Sequence, residues 1–260
     1  AKEGGNYQVK DPEKLIRIAK EWGVETEGKD IYDLAHEMAE IGLMEYGKPF
    51  GVQKFLKRAP EHTQQLWHEA GIEPRAIDRE VATALHMTHM GNSSLPEALV
   101  RQALRCGLSD GWGGSMMGTE FSDVLFGTPK PVDSTANIGV MEKDNVNIVV
   151  HGHDPSLSEM IVYYANDPEM IAYAKSMGAK GITISGVCCT ANEVAMRHGI
   201  PMAGNFLSQE NVVLTGACEA IVVDVQCIFP ALGPLSKCFH TKFITTSPIC
   251  RMPDSEFIQF

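Results

Sequence analysis

The spacing of apolar residues divides the chain into two regions. Up to about residue 127, apolar side chains recur every three or four positions, which is typical of amphipathic helices. Asp30 stands where the N-cap of one such helix belongs. The predicted helices cover residues 12–22, a stretch that follows Asp30, and residues 52–58, 61–70, 77–90 and 95–104. We therefore predict a helical region over residues 1–127.

From about Val146 the pattern changes to short β-branched runs separated by helical runs. Such runs are typical of strands that are buried on both faces, and their alternation with helices predicts a parallel sheet with right-handed crossovers. The predicted strands cover residues 148–150, 182–184, 220–225 and 243–245. Residues 128–145 begin with Thr128-Pro-Lys-Pro and are predicted to be a linker. The fold class is therefore α/β, with an α/β domain over 146–260.

One stretch of the second region carries two adjacent thiols. Gly181 to Val187 is a β-branched run, Cys188 and Cys189 follow it, and a helix is predicted to open at Thr190 with Glu193 completing a capping box. In an open α/β sheet, the turn after the carboxyl end of a strand is where ligands bind. This position therefore favours a ligand-binding or catalytic role for the two thiols over a role in core packing.

Two further strands end in residues of similar chemistry. His153 follows the first predicted strand and Cys227 follows the third, so the carboxyl edge of a parallel sheet would bring them near Cys189. An imidazole and two thiolates suit zinc, copper, nickel or an iron–sulfur cluster. Two alternatives remain open. The residues can be structural, or a cysteine at a helix N-terminus can be a nucleophile with His153 or His198 as its base.

A glycine-rich stretch lies between two helical blocks of the first region. Leu108 to Gly118 contains four glycines and follows a helix, so it is predicted to be a loop and not a dinucleotide-binding turn. Asp110 is the group in this loop that could exchange protons. The alternative is a packed connection that carries Trp112.

Composition narrows the choice of partner. The chain has 22 Lys and Arg against 33 Asp and Glu, a net charge of -11, which disfavours binding to nucleic acid or to an anionic membrane surface. No apolar run is long enough to span a bilayer and no signal peptide is recognisable, so the cytoplasm is the expected location. Seven cysteines in a chain of 260 residues favour free thiols or metal ligands over a disulfide scaffold.

At these same residues the sequence resembles a known family. The motifs resemble those of the catalytic subunit of the anaerobic, nickel-containing carbon monoxide dehydrogenases, whose relatives include the hybrid-cluster proteins. The matching stretches are Asn147-Ile-Val-Val-His-Gly-His-Asp-Pro-Ser-Leu-Ser-Glu-Met160, Gly186-Val-Cys-Cys-Thr-Ala-Asn-Glu193, Asp224-Val-Gln-Cys-Ile-Phe-Pro230 and Asp110-Gly-Trp-Gly-Gly-Ser-Met-Met-Gly-Thr-Glu120. The resemblance implies a Rossmann-like α/β domain and the oxidation of CO with water to CO2 at a nickel–iron–sulfur cluster.

The resemblance also assigns roles to single residues. It makes His153, Cys189 and Cys227 ligands of the cluster irons, places Cys188 beside a ligand position, and makes Asp110 part of a proton relay. Further 4Fe–4S clusters would be bound by segments absent from this chain. The partners it implies are CO, CO2, water, ferredoxin, a second copy of the subunit and, in some cases, an acetyl-CoA synthase subunit.

The family subunit is longer, so the chain is interpreted as its middle portion. Residues 146–260 would then be the first part of the Rossmann-like domain, and the 260 residues alone would be inactive. The alternatives are a hybrid-cluster-type hydroxylamine reductase, which would hold iron without nickel, and a metal-free α/β domain.

Overall fold

The computed structural model describes residues 7–260, so residues 1–6 of the predicted helical region lie outside the described range. The chain forms two compact units, one ending at Thr128 and the other spanning Pro129–Phe260. The first unit is helical, and the second is built on a parallel sheet. Across residues 7–260, no helix is both long enough and apolar enough to cross a membrane.

Six α-helices form the described part of the first unit. They are α1 (Pro12–Glu21), α2 (Ile31–Gly47), α3 (Glu61–Ala70), α4 (Ile77–Met87), α5 (Pro96–Ser109) and α6 (Met116–Phe126). The predicted helix over 52–58 is a short 3₁₀ helix, Lys54–Arg58. The predicted glycine-rich loop is wrong, because a π-helical segment, Asp110–Ser115, joins α5 to α6 directly.

The apolar face of α1 packs into the core of this unit. Leu15 and Ile18 are fully buried there with Met38 and Phe55, in agreement with the period of the sequence. The N-cap of α1 is Asp11, whose side chain accepts a hydrogen bond from a backbone N–H one turn on. This unit therefore has a core of its own.

A buried ion pair joins α1 to α6. Lys14 donates to Asp123, and its Nζ lies 3.4 Å from Oε2 of Glu120. All three side chains are largely buried. Removing the cation would take from two buried carboxylates a charge that stabilises both, which is costly in a protein interior.

Six parallel strands form the sheet of the second unit. They are β1 (Val146–Gly152), β2 (Ile182–Val187), β3 (Met202–Gly204), β4 (Ala220–Val223), β5 (Lys242–Thr245) and β6 (Glu256–Phe257). Their order is β3-β2-β1-β4-β5-β6, which is the Rossmann order with a reversal between β1 and β4. The predicted α/β class is confirmed.

Helices connect most of these strands and cover the sheet. They are α7 (Pro155–Ala165), α8 (Pro168–Ser176), α9 (Cys188–His198), α10 (Gln209–Leu214) and α11 (Leu232–Ser236). Successive residues of β1 point to opposite faces, so Val149 enters one apolar core and Val150 enters the other. Both faces are therefore buried, as the β-branched runs of the sequence predicted.

Candidate functional site

The candidate site lies at the carboxyl edge of the sheet, where the strand order reverses. β1 and β4 are neighbours, and the chain continues from them toward opposite sides of the sheet. Their carboxyl ends flank the crevice in which sheets of this kind bind ligands. Three adjacent strands end there. Cys188 and Cys189 directly follow β2, His153 directly follows β1, and Cys227 lies in the turn after β4.

A buried carboxylate shapes the end of β1. The strand ends at Gly152, whose φ of +135° is rarely adopted by a residue with a Cβ. A Cβ at this position would lie 1.9 Å from Oδ1 of Asp224. The same Oδ1 accepts hydrogen bonds from the backbone N–H of His153, at 2.6 Å, and from that of Val225. Asp224 therefore fixes the backbone that carries the exposed imidazole and ties the end of β1 to that of β4.

The environment of Asp224 also alters its acidity. Burial raises the pKa of the Asp224 carboxyl to about 6, although backbone N–H groups of His153, Val225 and Asp154 stabilise its charged form. Sequence reasoning assigned no role to this residue. The available signal was an acidic residue placed directly after a buried strand.

The two adjacent cysteines open α9 and do not form a turn in front of it. No side chain accepts a hydrogen bond at this helix cap, so the predicted capping box of Thr190 and Glu193 is wrong. The reason is that Thr190 is fully buried, and its hydroxyl donates to Oγ of Ser158 at 2.7 Å. Cys188 and Cys189 therefore lie in the first turn of the helix.

Three thiols lie close together at this edge. The Sγ atoms of Cys188 and Cys189 are 4.0 Å apart, and Cys188 also packs against the apolar core below. Burial, together with the neighbouring thiols of Cys189 and Cys227, raises the pKa of the Cys188 thiol to about 12. Cys189 is half-buried and Cys227 is exposed. The thiol of Cys188 is thus a protonated, packed group, beside two more accessible ones.

The turn after β4 has an unusual backbone. Gln226 and Cys227 have φ values of +68° and +58°, so two consecutive residues with side chains are in the left-handed region. Each such residue costs about 1–3 kcal/mol and persists only where surrounding contacts hold it. The exposed Cys227 is therefore presented by a strained turn.

The other histidine of the β1 end has a different environment. His151 is fully buried, and its Nε2 lies 2.9 Å from Oε1 of Gln209. Burial lowers the pKa of the His151 imidazole, and the contact with Gln209 offsets this only in part. His151 therefore supports the strand end from below and is not presented at the edge.

Asp110 lies in the helical unit and opens the π-helical segment. Its side chain is exposed, and a Cβ at Gly114 would lie 2.8 Å from its Oδ1. A glycine at position 114 is therefore needed for the carboxylate to fold back over the segment. π-Helical turns occur often at functional sites, because they reposition side chains within a helix.

The donor groups at the sheet edge do not form a site for one ion. Within residues 7–260, no group of three or more His, Cys, Asp or Glu side chains is arranged to hold a metal ion. In an iron–sulfur cluster, each protein ligand binds its own iron, so the ligands need not converge on one atom. Accessible single donors at three adjacent strand ends, His153, Cys189 and Cys227, therefore fit a cluster of several metals better than a single ion.

Comparison with known proteins decides the family. The model of the Prismane/CO dehydrogenase family matches residues 1–260. The chain belongs to this family. It is 52% identical over 258 residues to carbon monoxide dehydrogenase 1 of Methanosarcina mazei, covering 99% of this chain and 41% of that protein. The resemblance seen in the sequence motifs is thereby confirmed.

Other members of the Prismane/CO dehydrogenase family support the same assignment. The beta subunit of the carbon monoxide dehydrogenase/acetyl-CoA synthase of Moorella thermoacetica is 41% identical, with 98% of this chain and 38% of that protein covered. The as-isolated, nickel-free crystal structure of carbon monoxide dehydrogenase from Thermococcus sp. AM4 superimposes with a TM-score of 0.95 at 49% identity, covering 98% of this chain and 40% of that one. The chain thus spans about two fifths of the length of the relatives it matches.

Proposed function

We propose that the chain is part of an anaerobic carbon monoxide dehydrogenase that converts CO and water to CO2, two electrons and two protons. The observation that carries this proposal is the sheet edge itself. Accessible thiols and an imidazole follow three adjacent strands at the point of strand reversal, in a chain similar over nearly its whole length to carbon monoxide dehydrogenases.

Each residue of the edge has a role in this proposal. His153, Cys189 and Cys227 would bind irons of a nickel–iron–sulfur cluster, which when bound supplies the metals that take two electrons from CO. Asp224 would hold the His153 backbone in place through its hydrogen bond of 2.6 Å. Asp110, exposed in the helical unit, would accept one of the protons released from water.

The proposal extends to the partners of the whole protein. Electrons would leave through further 4Fe–4S clusters to ferredoxin, and the subunit would act as a homodimer in the cytoplasm. An acetyl-CoA synthase subunit is a further candidate partner, since one relative is the beta subunit of such an assembly. The similarity to proteins named carbon monoxide dehydrogenase favours CO oxidation over hydroxylamine reduction.

The sheet edge supplies too few protein ligands for residues 1–260 to be active alone. A [4Fe–4S] cluster is held by about four protein ligands, and the sheet edge supplies three. We therefore expect the isolated 260-residue chain to show no CO-dependent reduction of viologen dye.

The test uses the intact native protein, isolated without oxygen, and follows CO-dependent reduction of viologen. We expect activity in the wild type, its loss in Cys227→Ala, and its retention in Cys238→Ala, because Cys238 is an exposed cysteine outside the proposed ligands. An inactive wild type with full metal content, or an active Cys227→Ala variant, would contradict the proposal.

A further inference from the structure

A buried glutamine connects the elements around the Cys227 turn. Gln209 begins α10, and its side chain has no exposed surface. Its Oε1 accepts a hydrogen bond from the backbone N–H of Phe229 at 2.8 Å and lies 2.9 Å from Nε2 of His151. Its Nε2 donates to the carbonyls of Cys227, at 3.0 Å, and of Phe206, at 2.5 Å. One amide thus contacts β1, the turn after β3 and the turn after β4.

These contacts fix the orientation of the Gln209 amide. Oε1 faces an N–H of the main chain, and Nε2 faces two carbonyls, so an exchange of the two atoms would break three hydrogen bonds. Since Oε1 only accepts, His151 must donate through a proton on Nε2. The amide and the imidazole therefore form one ordered, buried polar unit.

This unit holds the strained turn through the backbone that directly follows its thiol. Gln209 binds the carbonyl of Cys227 and the N–H of Phe229, two residues further along the chain. Gln226 and Cys227 are the consecutive residues with positive φ. Strained backbone of this kind relaxes unless nearby groups hold it. The hydrogen bonds of Gln209 supply that restraint from inside the protein, while the Cys227 side chain faces outward.

We infer that Gln209, supported by His151, is a positioning residue that presets the Cys227 turn to bind the cluster. This inference rests on the proposed function, in which Cys227 is a cluster ligand. Gln209 does not bind the metals itself. It acts through the backbone of the ligand, as the hydrogen-bonding partners of metal ligands do, whose loss weakens metal binding by about 10–100-fold.

The test is the substitution Gln209→Glu in the intact native protein. A carboxylate keeps the contacts of Oε1 but places an acceptor against the carbonyls of Cys227 and Phe206. The two hydrogen bonds that Nε2 donates to these carbonyls are then lost. Asn147→Asp is the matched control. Asn147 is also a buried amide at the opposite end of β1, away from the thiols, where its Nδ2 donates to three carbonyls and to Oε2 of Glu219, so its carboxylate variant likewise places an acceptor against acceptors.

The readouts are nickel and iron per protomer, retention of metal against a chelator, and the electron paramagnetic resonance spectrum of the reduced protein. We expect Gln209→Glu to lose metal at about 10–100-fold lower chelator concentration and to show an altered spectrum. Asn147→Asp should match the wild type in both. Equal behaviour of the two variants would overturn the inference, while a wild type without the cluster would overturn the proposed function first.

A second variant covers the case in which Gln209→Glu does not fold. Gln209→Met keeps the approximate length of the side chain, adds no charge and removes every hydrogen bond of the amide. We expect the same weakened metal retention and altered spectrum. Wild-type retention and spectrum in Gln209→Met would overturn the inference regardless of the behaviour of the glutamate variant.

Discussion

The substitution Gly152→Ala tests how tightly the ends of β1 and β4 are joined. The new methyl group would require a backbone with φ near +135° and would lie 1.9 Å from Oδ1 of Asp224. The carboxylate would have to move, and the hydrogen bonds that it accepts from His153 and Val225 would break. We therefore expect Gly152→Ala to destabilise the candidate site more than a substitution at a positive-φ glycine whose Cβ would meet open space.

The magnitude follows from two contributions. Backbone strain costs about 1–3 kcal/mol, and each of the two hydrogen bonds to the charged Asp224 contributes about 1.5–3 kcal/mol. Together they amount to roughly 4–9 kcal/mol, against the ~5–15 kcal/mol that stabilises a typical domain. Gly178→Ala is the matched control, because Gly178 also has a positive φ, of +100°, but its Cβ would contact nothing within 4 Å.

The assay is hydrogen exchange of the β1 amides in the intact protein, which reports local opening free energies. A loss of 4 kcal/mol lowers protection by about a thousandfold, whereas Gly178→Ala should cost only the strain. In an Asp224→Ala background the clash is absent, so Gly152→Ala should then cost no more than Gly178→Ala. Equal effects of the two glycine substitutions, or fully additive effects of Gly152→Ala and Asp224→Ala, would refute the reasoning.

Two further predictions concern groups outside the sheet edge. Lys14→Met should destabilise the helical unit by about 1.5–3 kcal/mol, because Asp123 and Glu120 lose a buried cation that is hydrogen-bonded to Asp123; Lys29→Met, which breaks a surface pair, should cost no more than about 1 kcal/mol by chemical denaturation. Burial raises the pKa of Cys218 to about 12, so iodoacetamide at pH 8 should label the exposed Cys238 and leave Cys218 unmodified until the protein unfolds. Since the reference thiol pKa is 9.0, the contribution of Cys218 to the unfolding free energy should be constant below pH 9 and should fall between pH 9 and 12, where only the unfolded state ionises. Equal labelling of the two thiols in the folded protein, or equal costs of the two lysine substitutions, would contradict these expectations.

The sheet was predictable from the sequence because its central strands are buried on both faces. β1, β2 and β4 are short runs rich in β-branched residues, which local composition reveals. β3 and β6 have only three and two residues, so no periodicity could indicate them. They form because the neighbouring strands, β2 and β5, present backbone N–H and C=O groups with which they can pair.

The glycine-rich stretch misled prediction because glycine count is a local signal. Four glycines in Leu108 to Gly118 indicated a loop, yet α5 and α6 continue through them as a π-helical segment. The apparent capping box failed for a similar reason. The hydroxyl of Thr190 forms a tertiary hydrogen bond with Ser158 instead, and no local sequence pattern predicts such a contact.

The candidate site was only partly predictable. Strand alignment placed His153, Cys189 and Cys227 at one edge, since the ends of parallel strands meet there. The strained turn and the contacts of Asp224 and Gln209 depend on residues far apart in sequence. Such contacts leave no periodic pattern in the sequence, so they can be identified only from the structure.

The central claim is that this sheet edge holds part of a nickel–iron–sulfur cluster. The most direct measurement is the amount of nickel and iron per protomer in the intact protein, isolated without oxygen, for the wild type and Cys227→Ala. The account predicts both metals in the wild type and a marked loss of both in the variant. Iron without nickel in the wild type, the absence of both metals, or unchanged metal content in Cys227→Ala would contradict it.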